Sequence, residues 1–327
     1  MNSRLRLIYF LIGLVTLVGI FLLLSPWILG LYFQIEGGQQ LDSALRAMAD
    51  VPELDVTCKV LPAENKNVLP KIEHATTLLK RALDYNQRNA QAHLDLGRAY
   101  CLLGEPENAR GHYRIYAELR PKNPLGHLGS GFASEVLGDL TPAVEAWKAS
   151  GMPSAYFLEA GDKALRQKRY EDALRWYERT TWIEPHLASA WLKLGQVYDQ
   201  IGQSQQALEA YQTAWDIDPS ASTTALANSL AGVSDYLTAE KILREALETY
   251  KSSPERLDWW RLMGTALRYQ LKWDSAAAAY QEAIQEFPDQ PDLHIELGRV
   301  YFDRGDGIQA ARQEIETAIA LNEQSGD

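Results

Sequence analysis

Cysteine and histidine are the side chains in this chain of 327 residues that could do covalent or metal chemistry, and they are few. The two cysteines are Cys58 and Cys101. In a reducing compartment they would be ordinary buried thiols, whereas in an oxidising one a pair this close in sequence invites a disulfide. A Cys58–Cys101 bridge would restrict the unfolded chain by a chain-entropy contribution approaching about 4 kcal/mol. No Cys-x2-Cys pair and no histidine at ligand spacing accompanies them, so no metal site is indicated. The chain carries no Gly-x-Ser-x-Gly elbow, His-Glu-x2-His helix, phosphate-cradling glycine loop or calcium loop. Its aspartates and glutamates are scattered, with no pair suited to glycoside hydrolysis. We therefore expect neither an enzyme nor a cofactor.

The composition is that of a globular protein, 46% hydrophobic and 23% charged. One stretch departs from it. Between Leu7 and Phe33 there is no charged side chain, and as a helix this stretch would be about 40 Å long at 1.5 Å per residue. It is too long for a signal-peptide core, and Ser25-Pro26-Trp27-Ile28 offers no small-x-small cleavage site. The sequence predicts a transmembrane helix over 7–33, with Tyr9, Phe10, Trp27, Tyr32 and Phe33 near its ends. Arg4 and Arg6 precede it, while Glu36 and Asp42 are the first charges after it. Residues 1–6 are then expected in the cytoplasm and the remainder outside, in a bacterial-type cell envelope. The net charge is −11, and without Arg4 and Arg6 the rest stands at −13. Such an acidic domain disfavours nucleic acid and anionic lipid surfaces as partners.

Residues 34–70 read as a connector: a flexible exit at Gly37-Gly38, a short helix from Leu41 to Ala49, and a segment divided by Pro52, Pro62 and Pro70. Beyond it the chain repeats. Trp191, Leu194, Gly195, Tyr198, Gly202, Ala207, Tyr211, Ala214 and Pro219 fall at the spacing Trp-x2-Leu-Gly-x2-Tyr…Ala-x3-Tyr…Pro. This resembles the tetratricopeptide repeat, a helix–turn–helix unit of about 34 residues. A half repeat from Lys71 is followed by units at 90–123, 124–153, 154–187, 188–221, 222–256, 257–290 and 291–324. The second is short and the fifth degenerate. Residues 325–327 read as a polar tail, and Arg312, Gln313, Glu316 and Glu323 suit the last helix to water. The resemblance implies an all-α solenoid, with first helices lining a groove and small residues at the eighth, twentieth and twenty-seventh positions of each unit allowing close packing.

Several chemically suggestive side chains become packing residues on this reading. His93, His127 and His294 take the fourth position of their units, where Trp191 and Trp260 stand elsewhere. Many of the nine tryptophans and sixteen tyrosines fall on core positions, which weakens a sugar-binding reading. The resemblance points the second, fifth, ninth, twelfth and thirteenth positions into the groove. Those positions supply Arg98 in the first unit, Phe132 in the second, Arg166 in the third, Arg261, Arg268 and Tyr269 in the sixth, and Arg299 and Phe302 in the seventh. Arginine presents a planar fork for carboxylates, so the carboxy-terminal groove is expected either to grip an acidic peptide or to pair its arginines with Asp258, Asp292 and Asp303. The lysine and asparagine set that clamps a terminal carboxylate in chaperone-type repeats is absent. The function these features imply is a membrane-anchored scaffold or assembly factor binding a peptide or protein in the groove. The alternative is an accessory subunit of envelope polysaccharide synthesis or export.

Overall fold

In the computed structural model the chain is described over residues 3–46, 57–58, 67–305 and 307–325. Within the first helix the side chains of 3–14, 17–18 and 20–23 lie outside the described residues. The described residues form sixteen α-helices and no strand. They divide into two compact units, 1–153 and 154–327. Unit 1 holds α1 (Ser3–Arg46), α2 (Leu69–Tyr85), α3 (Ala90–Leu102), α4 (Pro106–Leu119), α5 (Leu125–Val136) and α6 (Leu140–Ala149). Unit 2 holds α7 (Ser154–Arg166), α8 (Tyr170–Ile183), α9 (Ala188–Gln200), α10 (Ser204–Ile217) and α11 (Pro219–Gly232). It continues with α12 (Tyr236–Thr249), α13 (Arg256–Tyr269), α14 (Trp273–Glu286), α15 (Pro291–Arg304) and α16 (Ile308–Ser325).

Within each unit consecutive helices pair, and an aromatic ring lies on a glycine in most of the pairs. A Cβ placed on Gly97 of α3 would come 2.6 Å from Tyr113 Cε1 of α4, and one on Gly129 of α5 would come 2.6 Å from Tyr113 Cδ1. The Tyr113 ring is thus clamped between its own first helix and the next. Gly131 against Trp147, Gly161 against Tyr177, Gly195 against Tyr211 and Gly264 against Tyr280 repeat the contact. All five rings are buried. The degenerate fifth repeat changes both partners together. Ala227 replaces the glycine and Leu243 the ring, and both are buried. Its first helix begins earlier than the repeat period suggests, because Asp218 accepts a hydrogen bond from the Ala221 amide and caps α11 directly. The hairpin turns place Gly104, Gly138, Gly202 and Gly305 at positive φ, and Lys168, Ser234 and Leu271 do the same at φ of about 60°.

The expected transmembrane helix over 7–33, with a cytoplasmic amino terminus and repeats outside, is corrected. Among the described residues no helix is long and apolar enough to cross a membrane. Much of that stretch lies outside the described side chains. The described part of α1 instead becomes a solenoid helix. Gly30 meets the Tyr85 side chain, Gly37 meets Leu79, and Leu41 and Ala44 are fully buried. Phe33 stacks on Tyr85 at 5.9 Å. Gly37-Gly38, predicted as a flexible exit, is helical because the missing side chain lets α1 settle onto Leu79 of α2. The carboxy-terminal half of α1 therefore supplies the first helix that the half repeat lacks in sequence. Of the predicted connector, residues 47–56 and 59–66 lie outside the described residues, as do 326–327 of the tail.

Cys58 is joined to Cys101 of α3 by a disulfide. Cys101 is 2% exposed, so the bridge fastens the chain leaving α1 to the core of the first full repeat.

Two outcomes follow from this packing. Gly264→Ala forces a methyl into the Tyr280 ring and should cost about 2–3 kcal/mol in urea unfolding. Gly111→Ala, whose added Cβ would meet nothing within 4 Å, should cost less than about 1 kcal/mol. Equal losses would remove the ring contact as the reason for the glycines. Cys101→Ser should lower the stability of unit 1 by about 2–4 kcal/mol, matched by adding a thiol reductant to the wild type and absent when reductant is added to the variant.

Candidate functional site

The first-helix positions of unit 1 are largely closed. Leu94, Cys101 and Phe132 are buried, and Phe132 packs on Trp147 with ring centroids 5.7 Å apart. Arg98 pairs with Asp95 at 3.2 Å, with side-chain exposures of 18% and 5%. The cause is α1, whose Gly38 lies above the Asp95 carboxylate. Burial pushes the Asp95 carboxyl up to about 7; the hydrogen bond from Gln91 opposes this and the Asp42 charge on α1 adds to it. Burial likewise lowers the Arg98 guanidinium. Tyr113 of α4 completes the surround, with its hydroxyl buried and without a hydrogen-bond partner among the described residues. A second polar cluster lies close by. His93 Nδ1 and His112 Nδ1 are 2.9 Å apart, and His93 Nε2 donates to the Gln87 carbonyl. Burial, with the charges of His93 and Lys80, holds His112 down at about 4. His93 is buried, in keeping with the packing role that its fourth position implied.

Unit 2 keeps its first-helix face open. There the ring hydroxyls turn towards that face and find partners. Tyr177 donates to Asp162 at 2.6 Å, Tyr211 donates to Asp199 at 2.8 Å, and Tyr280 lies 3.1 Å from the Thr265 hydroxyl. Lys193 of α9 reaches Asp162 of α7 at 3.0 Å. Burial acts to raise Asp162, but the hydrogen bonds from Tyr177 and Lys193 win and hold it below the usual carboxylate range.

The sequence-predicted arginines come together on α13 and α15, each in an ion pair. Arg261 contacts Asp258 at 3.6 Å and Asp292 at 3.2 Å. Arg268 pairs with Asp303 at 2.9 Å, and Arg299 with Glu296 at 2.8 Å. Arg166, at the end of α7, is exposed. Charges are unequally presented: the Arg261 and Arg268 side chains are 33% and 16% exposed, while Asp258 and Asp292 are 56% and 69% exposed. The Arg261 and Arg268 guanidinium groups lie in the wall with their carboxylate partners standing out from it, whereas Arg299, 50% exposed, stands out beyond its partner Glu296 at 26%. Tyr269 and Phe302 remain exposed on this face. Tyr269 is stacked on Tyr236 at 4.8 Å and carries the Arg268 guanidinium 5.1 Å from its ring centre. Next to Phe302, between α15 and α16, lies an apolar depression of about 590 Å³ lined by Ile295, Gly298, Ile308, Ala311 and Ile315. The Ile308–Ile315 part of it escaped the sequence reading, whose groove rule considers first helices only. Among the described residues no three histidine, cysteine, aspartate or glutamate side chains gather to hold a metal ion.

Two family models, each described as tetratricopeptide repeat, match residues 163–232 and residues 71–124 and 261–325. The chain belongs to the tetratricopeptide repeat family. The family is one of protein-interaction scaffolds. This tetratricopeptide repeat chain is 24% identical over 216 residues to anaphase-promoting complex subunit 3 of Schizosaccharomyces pombe, a match covering 64% of this chain and 32% of that protein. It thus spans about a third of the curated relative. Among solved structures it is similar to MamA 41-end from Desulfovibrio magneticus RS-1, at 19% identity and a TM-score of 0.46, covering 53% of this chain and 97% of that one. It is also similar to the APC/C hetero-tetramer Cut9-Hcn1, at 17% identity and a TM-score of 0.38, covering 80% and 47%.

The buried carboxyl of unit 1 makes its stability depend on pH. An unfolded aspartate titrates near 3.9, so Asp95 favours the folded state most below about pH 4, and that contribution is lost as pH rises through its folded value of about 7. Between pH 5 and pH 8 the wild type should lose on the order of 2–4 kcal/mol of unit 1 stability through this group. Asp95→Asn should flatten that slope in urea titrations, and an unchanged slope would refute the assignment.

Proposed function

We propose that the open first-helix face of unit 2 holds a segment of another protein, one that carries cationic and apolar side chains. The observation that carries this reading is the arrangement on α13 and α15, where Arg261 and Arg268 are drawn into the wall and Asp258 and Asp292 face outward beside Tyr269 and Phe302. An acidic peptide would have to break the Arg261–Asp292 and Arg268–Asp303 pairs and then lie against the released carboxylates. A basic segment meets those carboxylates directly and leaves the pairs intact. The acidity of the whole chain, −11, steers the same class of partner by long-range attraction.

A glycan would need a bare aromatic platform. Tyr269, stacked on Tyr236 and covered by Arg268, supports a peptide side chain at its edge better than a sugar ring on its face. Exposed aromatics of this kind also dominate protein-binding energies when they become buried.

A photo-crosslinking residue placed at Thr265 in the full chain and activated in cells should capture the partner. Binding of that purified partner should fall at least tenfold with Asp292→Lys or Tyr269→Ala, weaken with added salt, and survive Arg261→Glu. Loss of binding in Arg261→Glu together with full binding by Asp292→Lys would overturn the reading in favour of an acidic segment.

A further inference from the structure

Three tyrosines of unit 2 bring their hydroxyls to the first-helix face, and what each meets there differs in charge. Tyr177 donates to Asp162, which Lys193 already neutralises at 3.0 Å. Tyr280 lies beside the Thr265 hydroxyl, which carries no charge. Tyr211 donates to Asp199 at 2.8 Å, and Asp199 is exposed with no cation paired to it among the described residues. Burial first, and then the bond to Asp199, raises the Tyr211 hydroxyl, so it stays a donor and holds the carboxylate in place. A carboxylate fixed in this way loses little freedom when a cation arrives.

Registering the repeats on their glycines locates Asp199 on this face. Asp199 stands four residues after Gly195, Phe302 four after Gly298, and Tyr269 five after Gly264, so the three share one level along their helices. Between them α11 carries no charged side chain. Asp199 is therefore a separate negative point, set apart from Asp258 and Asp292 by an uncharged helix. Exposed amides of Gln196 and Gln200 accompany it on α9 and offer further acceptors to a cation.

We infer that Asp199 receives a second lysine or arginine of the partner segment, at a set interval from the apolar side chain that meets Tyr269. The inference rests on the protein-binding reading above and gives its partner a spaced motif. Neighbouring first helices about 8–10 Å apart put α13 about 16–20 Å from α9. An extended segment at about 3.3 Å per residue crosses that span in about five or six residues. The competing account is that Asp199 serves only to accept from the buried Tyr211 hydroxyl. Asp199→Asn separates the two, because the amide oxygen still accepts from Tyr211 while the charge is gone.

The test uses synthetic peptides that carry a leucine–lysine pair for α13 and α15 and a second lysine about two, six or ten residues from the leucine. Each is titrated into the full-length chain by calorimetry at low salt. The six-residue spacing is expected to bind at least about threefold tighter than the other two. Asp199→Asn should erase that preference, leave the other two peptides bound as before, and keep the wild-type midpoint in urea. Equal binding of the three spacings by the wild type, or a preference that survives Asp199→Asn, would overturn the inference. So would a lowered urea midpoint in Asp199→Asn with weaker binding of all three peptides, which would make Asp199 a structural acceptor only. The protein-binding reading fails differently: Asp292→Lys would then leave all three affinities unchanged, or no peptide would bind the wild type, which would remove the inference with it.

Discussion

The architecture depends on one repeated contact, an aromatic ring pressed against a helical glycine. It is demanding in both directions. A ring without the glycine cannot approach, and a glycine without the ring weakens a helix by about 1 kcal/mol relative to alanine. The Tyr113 ring also touches the first helix of the following repeat at Gly129, so that one side chain holds three helices. Stacking within each unit is therefore cooperative at the level of single residues. The ring's polar end adds a second consequence. In unit 2 the tyrosine hydroxyls emerge at the first-helix face and fix Asp162 and Asp199 there, so the residues that build the core also order the surface.

Much of this is legible in the sequence because the contact has a fixed spacing. Gly195 and Tyr211, or Gly264 and Tyr280, announce helix pairs by their spacing alone. The first pair was not legible. The partner of α2 sits across a long intervening segment, and its Gly37-Gly38 dipeptide reads as a flexible exit when taken alone. Only the position of Leu79 beneath Gly37 shows that the same residues permit close helix packing. The end of the uncharged stretch suggests a membrane span for the same reason, since hydropathy does not show that Gly30 and Phe33 have Tyr85 of α2 beside them.

The candidate site divides in the same way. Arg261, Arg268, Tyr269, Arg299 and Phe302 were placed together by repeat position alone. What position could not supply was the sense of the electrostatics, because that depends on which side chains lie against the wall. Asp292 stands one repeat away from Arg261 and meets it only after the helices stack. Arg98 and Phe132 occupy equivalent positions and are closed off, since α1 covers the first repeat and Trp147 receives Phe132. Equivalent positions in a repeat protein share a backbone location, and their neighbours decide what they do.

The bridge between Cys58 and Cys101 also sets how unit 1 carries tension. A pull on the amino-terminal end loads α1 first, sliding it along α2 in shear. Once α1 yields, the strain reaches Cys58 and passes through sulfur to α3, bypassing the intervening chain. All of α2 and most of α3 then hang as a closed loop outside the line of force. The extension available to unit 1 is shortened by that loop, and α4 to α6 feel the load only through the end of α3 beyond Cys101.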